Sequence, residues 1–231
     1  CGMADCQSLG SPTAELTRRD QDAWLGGLVA EHLGQARKAL IVPPDFSRYH
    51  SGAGEIAATL YRLLVPRTEV ELLPALGTHR AMQPAELERM FPGVPPDRIR
   101  VHDWRRNLVL LGELAPGRLQ ALSAGRLQAS LRVELNSLVV AGGHDAIISL
   151  GQVVPHEVVG MAGGNKNILV GTGGPDIINK SHFLGAVCDM EQIMGRTETP
   201  PRALLNEVED LYLRRLPLHH LLTVRSRNLA G

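Results

Sequence analysis

From Lys38 onward, short apolar runs alternate with stretches in which apolar positions recur every three or four residues, an order that builds parallel strands joined by crossover helices. Residues 39–42 read as a buried strand stopped by Pro43 and Pro44, and Ile56, Leu60, Leu63 and Leu64 then recur at helical spacing across 54–65. Residues 70–76 read as the next strand, ended by Gly77. Pro84 opens a short helix over 84–90, with Glu86 in its first turn and Leu87, Met90 and Phe91 on one side. Residues 99–101, 109–111 and 131–135 are lesser strand candidates around the polar segment 102–107. Residues 145–150 form a strong buried strand and 168–170 a shorter one, whereas 183–194 read as a helix stopped by Gly195. Thr199, Pro200 and Pro201 open a last helix running to about residue 215, and 218–224 look like a strand just begun. The pattern predicts an α/β fold: a Rossmann-like layered sheet, mostly parallel, with crossover helices on both faces. Residues 1–37 are expected as a lead-in, 38–217 as the α/β domain, and 218–231 as the start of a further part or an irregular tail, with 225–231 unpaired.

Composition narrows the classes. The 231 residues are 44% hydrophobic and 21% charged, enough apolar material for one sizeable core. Lys plus Arg and Asp plus Glu both number 24, so no net charge draws the chain to nucleic acid or an anionic membrane. Cys1, Cys6 and Cys188 lack CxxC spacing, which argues against a disulfide framework or zinc ribbon and places the chain in a reducing cytoplasm. No run approaches the ~20 apolar residues that span a bilayer. Met3 follows Cys1 and Gly2 and is read as the start.

The chemistry gathers after strands, where a parallel α/β sheet places its ligands. Asp45, Ser47 and Arg48 follow the first strand; the Arg48 fork suits a carboxylate or phosphate, with Asp45 orienting it, or the pair is a surface ion pair. Gly77 and Thr78 turn the chain to present His79, whose unperturbed pKa suits proton transfer, and then Arg80. Pro155, His156 and Glu157 precede the glycine pair Gly163 and Gly164, which lets backbone amides approach an anion, and then Lys166. The segment is not a P-loop, because Asn165 separates Gly164 from Lys166 and Asn167 stands where Ser or Thr would bind magnesium. Lys166 is either a nucleophilic amine or a solvated surface lysine. His182 has a ring nitrogen suited to a metal, yet no HxH or HExxH pair accompanies it.

Asp45-x-Ser47-Arg48, Gly77-Thr78-His79-Arg80-x-Met82, Pro155-His156 followed by Ala162-Gly163-Gly164-x-Lys166, and His182 sixteen residues later resemble the N-terminal domain of nickel-dependent lactate racemases. The likeness spans about residues 40–217. It implies a nickel-pincer nucleotide, a pyridinium mononucleotide with two sulfur donors, tethered through Lys166, with His182 completing the nickel coordination. It implies His79 and His156 as acid/base residues, Asp45, Gly163 and Gly164 near the cofactor, and Arg48 and Arg80 near substrate. The implied activity is racemisation or epimerisation of a 2-hydroxy acid by reversible hydride transfer, and cofactor-making enzymes are the implied partners. Ser47-Arg48-Tyr49-His50 replaces a common Thr-Arg-Pro, so Tyr49 and His50 are expected to reshape the substrate pocket. Two other readings stay open: a non-catalytic nucleotide- or anion-binding domain, and a zinc hydrolase using His79, His156, His182 and Asp45.

Overall fold

The computed structural model describes residues 6–11 and 13–225; the readings made for Met3 and for 226–231 lie outside them. In chain order the elements are α1 (Arg18–Leu28), β1 (Lys38–Val42), α2 (Ala53–Leu64), β2 (Glu69–Leu72), α3 (Pro84–Met90), β3 (Leu108–Leu114), α4 (Pro116–Leu122), β4 (Leu131–Asn136) and α5 (Ser137–Ala141). There follow β5 (Ala146–Gln152), β6 (Pro155–His156), β7 (Gly160–Met161), α6 (Asn165–Leu169), α7 (Pro175–Val187), α8 (Met190–Ile193), α9 (Pro200–Val208) and β8 (Leu218–Thr223).

The main sheet has the order β2-β1-β5-β8, and all of its pairings are parallel. Period-two alternation sorts its side chains to two faces. Ala39, Ile41, Ile148 and Leu150 pack with α1 and α2 on one side, while Leu40, Val42 and Ile147 meet Leu169, Ile177 and Leu204 on the other. Both faces are therefore covered, as an all-parallel sheet requires. The hairpin β3–β4 is a separate antiparallel pair packed against α7, and β6–β7 is a two-residue hairpin beyond the end of β5.

Several expectations are corrected. Residues 168–170 are not a strand: Ile168 and Leu169 belong to the helix α6, where Val170 N–H donates to the Lys166 carbonyl and Thr172 N–H to that of Ile168. A three-residue apolar run is equally suited to a buried helix turn. The 183–194 helix in fact starts at Pro175, and Asp189, at φ 71°, separates it from α8. His182 thus sits inside a helix rather than ahead of one. Residues 99–101 contribute one bridge, Ile99 to Leu72. The lead-in carries α1, closed by a capping box between Thr17 and Asp20. The strand read at 218–224 is present as β8, and it pairs with β5 as the sheet's fourth strand.

Among the described residues, no helix is long and apolar enough to cross a membrane. The connection from β1 runs to β2 on one side, while β5 and β8 lie on the other, so the order of strands reverses between β1 and β5. The crevice beyond the carboxyl ends of such a pair is where open α/β sheets bind ligands.

Candidate active site

A cavity of about 250 Å3 opens at that crevice. Its walls carry Asp45, Arg48 and His79 from the segments after β1 and β2, His156 from β6, Lys166 from α6 and His182 from α7. Seven of the nine residues singled out for the site in the sequence line it, Gly163 among them.

The loop that delivers Lys166 is shaped by its glycines. Gly163 (φ 84°) and Gly164 (φ 64°) take backbone conformations that side chains resist. A Cβ on Gly163 would stand 3.1 Å from the Gln152 carbonyl oxygen. The loop is anchored from three sides. Asn167 Nδ2 donates to the Val42 carbonyl at 2.9 Å and to Ser149 Oγ at 3.2 Å, tying the start of α6 to the ends of both β1 and β5. Arg202, on α9, donates through Nη1 to Asn165 Oδ1 at 2.6 Å and through Nη2 to the Met161 carbonyl. Asn165 Nδ2 in turn donates to Asn206 and Glu209, and Glu209 pairs with His220 on β8. Sequence reasoning passed over Arg202, since an isolated arginine in an amphipathic helix carries no local signal; Asn167 was noted only as a departure from a P-loop.

Lys166 is half-buried, and among the described residues no hydrogen bond or ion pair holds its amine. Burial, reinforced by the nearby Arg48 and Arg202 cations against the attraction of Glu157 and Asp45, lowers its pKa from 10.5 to about 8. That is the direction which turns a lysine into a nucleophile.

His79 Nδ1 lies 2.5 Å from Asp45 Oδ2, and Asp45 Oδ1 accepts from the Ser47 amide and hydroxyl. Both carboxylate oxygens are therefore occupied. Asp45 orients His79 and does not hold Arg48, which corrects the expected pairing; its carboxyl group still lines the cavity. The arrangement leaves His79 Nε2 with its lone pair, the form a general base needs. Arg48 is exposed, lines the cavity, and has no side-chain partner among the described residues.

His156 is buried, and burial together with the Lys166 charge pushes its pKa down to about 4, against the pull of Glu157. His182 Nδ1 donates to the Ile178 carbonyl at 2.6 Å, one helical turn back, and burial likewise lowers its pKa. A neutral ring with Nδ1–H has a free lone pair on Nε2, the usual state of a metal ligand fixed by a backbone partner.

Three expectations fail here. Arg80 is turned outward, with Nη1 and Nη2 forking onto Glu86 at 2.9 and 2.6 Å, and it does not line the cavity. Tyr49 and His50 face a different recess beside Gly52 and Met90, where Arg89 lies over the Tyr49 and Phe46 rings, so they do not reshape this pocket. No three His, Cys, Asp or Glu side chains among the described residues are placed to share a metal ion, which removes the support for a zinc site built from His79, His156, His182 and Asp45. A metal held by His182 needs donors brought by another group.

Comparison with known proteins bears on the family and the fold. The family profile described as lactate racemase N-terminal domain matches residues 28–195. A crystal structure of a protein from Thermotoga maritima is similar at 25% identity and a TM-score of 0.83, over 93% of this chain and 52% of that one. The lactate racemase apoprotein from Thermoanaerobacterium thermosaccharolyticum shares the fold at 19% identity and a TM-score of 0.58, over 87% of this chain and 49% of that one. The chain thus spans about half the length of these two proteins. No curated protein matches it.

Proposed function

The chain belongs to the lactate racemase N-terminal domain family, and from that premise we propose that its cavity racemises or epimerises a 2-hydroxy acid with a nickel-pincer nucleotide attached to Lys166. The observation that carries the reading is the shared cavity of a lysine amine with a pKa of about 8 and a histidine whose Nε2 is left free by the Ile178 carbonyl. Lys166 would hold the group covalently, and His182 Nε2 would bind its nickel beside donors that the nucleotide brings. When bound, such a nucleotide supplies a hydride acceptor.

The remaining residues account for the rest of the chemistry. Arg48 offers its unpaired fork to the substrate carboxylate. The proton on a carbon next to a carboxylate is very weakly acidic, so removal of that hydrogen as hydride, with loss of the hydroxyl proton, is the easier route to a planar 2-oxo acid. His79, backed by Asp45, is placed to accept that hydroxyl proton, and His156 is the second group that meets the substrate oxygen. The covered length, half that of the two similar structures, supports the view that further substrate contacts come from outside these residues.

Intact-protein mass spectrometry after co-expression with the cofactor-making enzymes tests the reading. The expected result is an adduct that disappears in Lys166→Arg. Reversible nucleotide binding with no adduct on Lys166 would instead favour an anion-binding domain without turnover.

A further inference from the structure

Three imidazoles line the cavity, and their partners settle where each carries its proton. A carbonyl or carboxylate oxygen accepts only from N–H, whereas a backbone amide donates only to a lone pair. His79 therefore carries its proton on Nδ1, facing Asp45 Oδ2. His156 is the reverse case. The Val158 amide donates to His156 Nδ1 at 3.1 Å, so that nitrogen has no proton and the neutral ring carries it on Nε2. The competing acceptor, Glu157 Oε2, stands 3.6 Å from the same nitrogen and is largely solvated. Because Nδ1 is committed to the β6–β7 turn, Nε2–H is what the ring has left for the cavity it lines.

We propose that the two histidines are unequal: His79 presents a lone pair that receives a hydroxyl, and His156 presents an N–H that holds an acceptor oxygen, the keto oxygen of a 2-oxo acid. The ligand in this statement rests on the hydroxy-acid reading above; the two tautomers rest on the chain alone. Burial, which disfavours the imidazolium of His156, keeps that N–H on a neutral ring. The acid/base roles that the resemblance implies for both histidines become one acceptor and one donor, each fixed by a named partner, so that the Val158 amide is as much a positioning group as Asp45.

The test is a two-bond 1H–15N correlation spectrum of the 15N-labelled chain at neutral pH, assigned with His79→Gln and His156→Gln. The expected pattern is Nδ1–H for His79 and Nε2–H for His156, unchanged for His156 in Glu157→Gln. Adding pyruvate should shift the His156 Nε2 resonance. A His156 ring with its proton on Nδ1, or averaged over both nitrogens, overturns the proposal, as does loss of the pattern in Glu157→Gln. A spectrum that pyruvate leaves unchanged, or in which only His79 moves, overturns the assignment of the acceptor oxygen. None of these spectra depends on an adduct at Lys166, so failure of the cofactor reading and failure of this one register in different experiments.

Discussion

The reactivity of Lys166 can be measured against built-in standards, because the sequence has only three lysines. Lys38 donates to the Gly142 carbonyl at 3.0 Å and Lys180 is ion-paired with Asp176 at 2.6 Å, whereas Lys166 has a pKa of about 8. At pH 7 about one Lys166 amine in ten is unprotonated, against about one in three thousand for a lysine at the ordinary 10.5, a ratio of ~300. The perturbation is a pH series with a small amine-selective acylating reagent, read by peptide mass spectrometry at all three sites. Labelling of Lys166 should exceed that of a free lysine reference by up to ~300-fold at pH 7 and level off above pH 8, and Lys166 should be the most reactive of the three sites. Narrow access to the cavity lowers every Lys166 rate by one factor and leaves the midpoint where it is. A Lys166 profile that climbs in parallel with the free lysine reference up to pH 10 would show that neither burial nor Arg48 acts on this amine, and the argument for a nucleophile would fail.

Other outcomes follow from the same contacts. Asp45→Ala frees His79 from its orienting partner and should lower turnover of the cofactor-loaded protein by about 100-fold, with little change in Lys166 labelling; unchanged turnover would remove His79 from the chemistry. His156 ionises at about 4 when folded and near 6.5 when unfolded, so between these pH values the unfolded chain binds the extra proton and stability falls on acidification, by up to about 3 kcal/mol. Urea titrations should show that part of the loss missing in His156→Gln. Arg202→Met removes the bonds to Asn165 and the Met161 carbonyl and should cost about 2 kcal/mol in thermal or denaturant unfolding; a cost below about 0.5 kcal/mol would mean that the guanidinium does not hold the loop.

The elements legible in the sequence are those whose burial is decided locally. The apolar run 39–42, the helical spacing of Ile56, Leu60 and Leu64, and Pro84 with Glu86 each fix one element with little help from elsewhere. The errors sit where tertiary context decides. Ile168 and Leu169 are apolar in either a strand or a helix, and the preceding left-handed glycines, visible only as glycines in the sequence, turn them into α6. The polar run Asn179, Lys180, Ser181 stands ahead of the helix read from 183, yet Lys180 reaches Asp176 and the Ser130 carbonyl from within α7. In the site, reactive groups were legible by type and spacing, but their pairing was not. Asp45 is three residues from Arg48, yet besides Ser47 it engages His79, 34 positions away, and Arg80 is drawn off by a Glu86 that also caps α3.

The bracing of the glycine loop bears on what a working unit of this fold is. Every reactive side chain proposed here lies within residues 28–195, the span the family profile matches, whereas Arg202, Asn206, Glu209 and His220 lie beyond it. A piece cut at residue 195 would keep the amine, the three imidazoles and the guanidinium and lose the scaffold that aims them. Catalytic competence would then be lost without the removal of any chemical group, and the shortest functional boundary is drawn by a mechanical support rather than by the chemistry it supports.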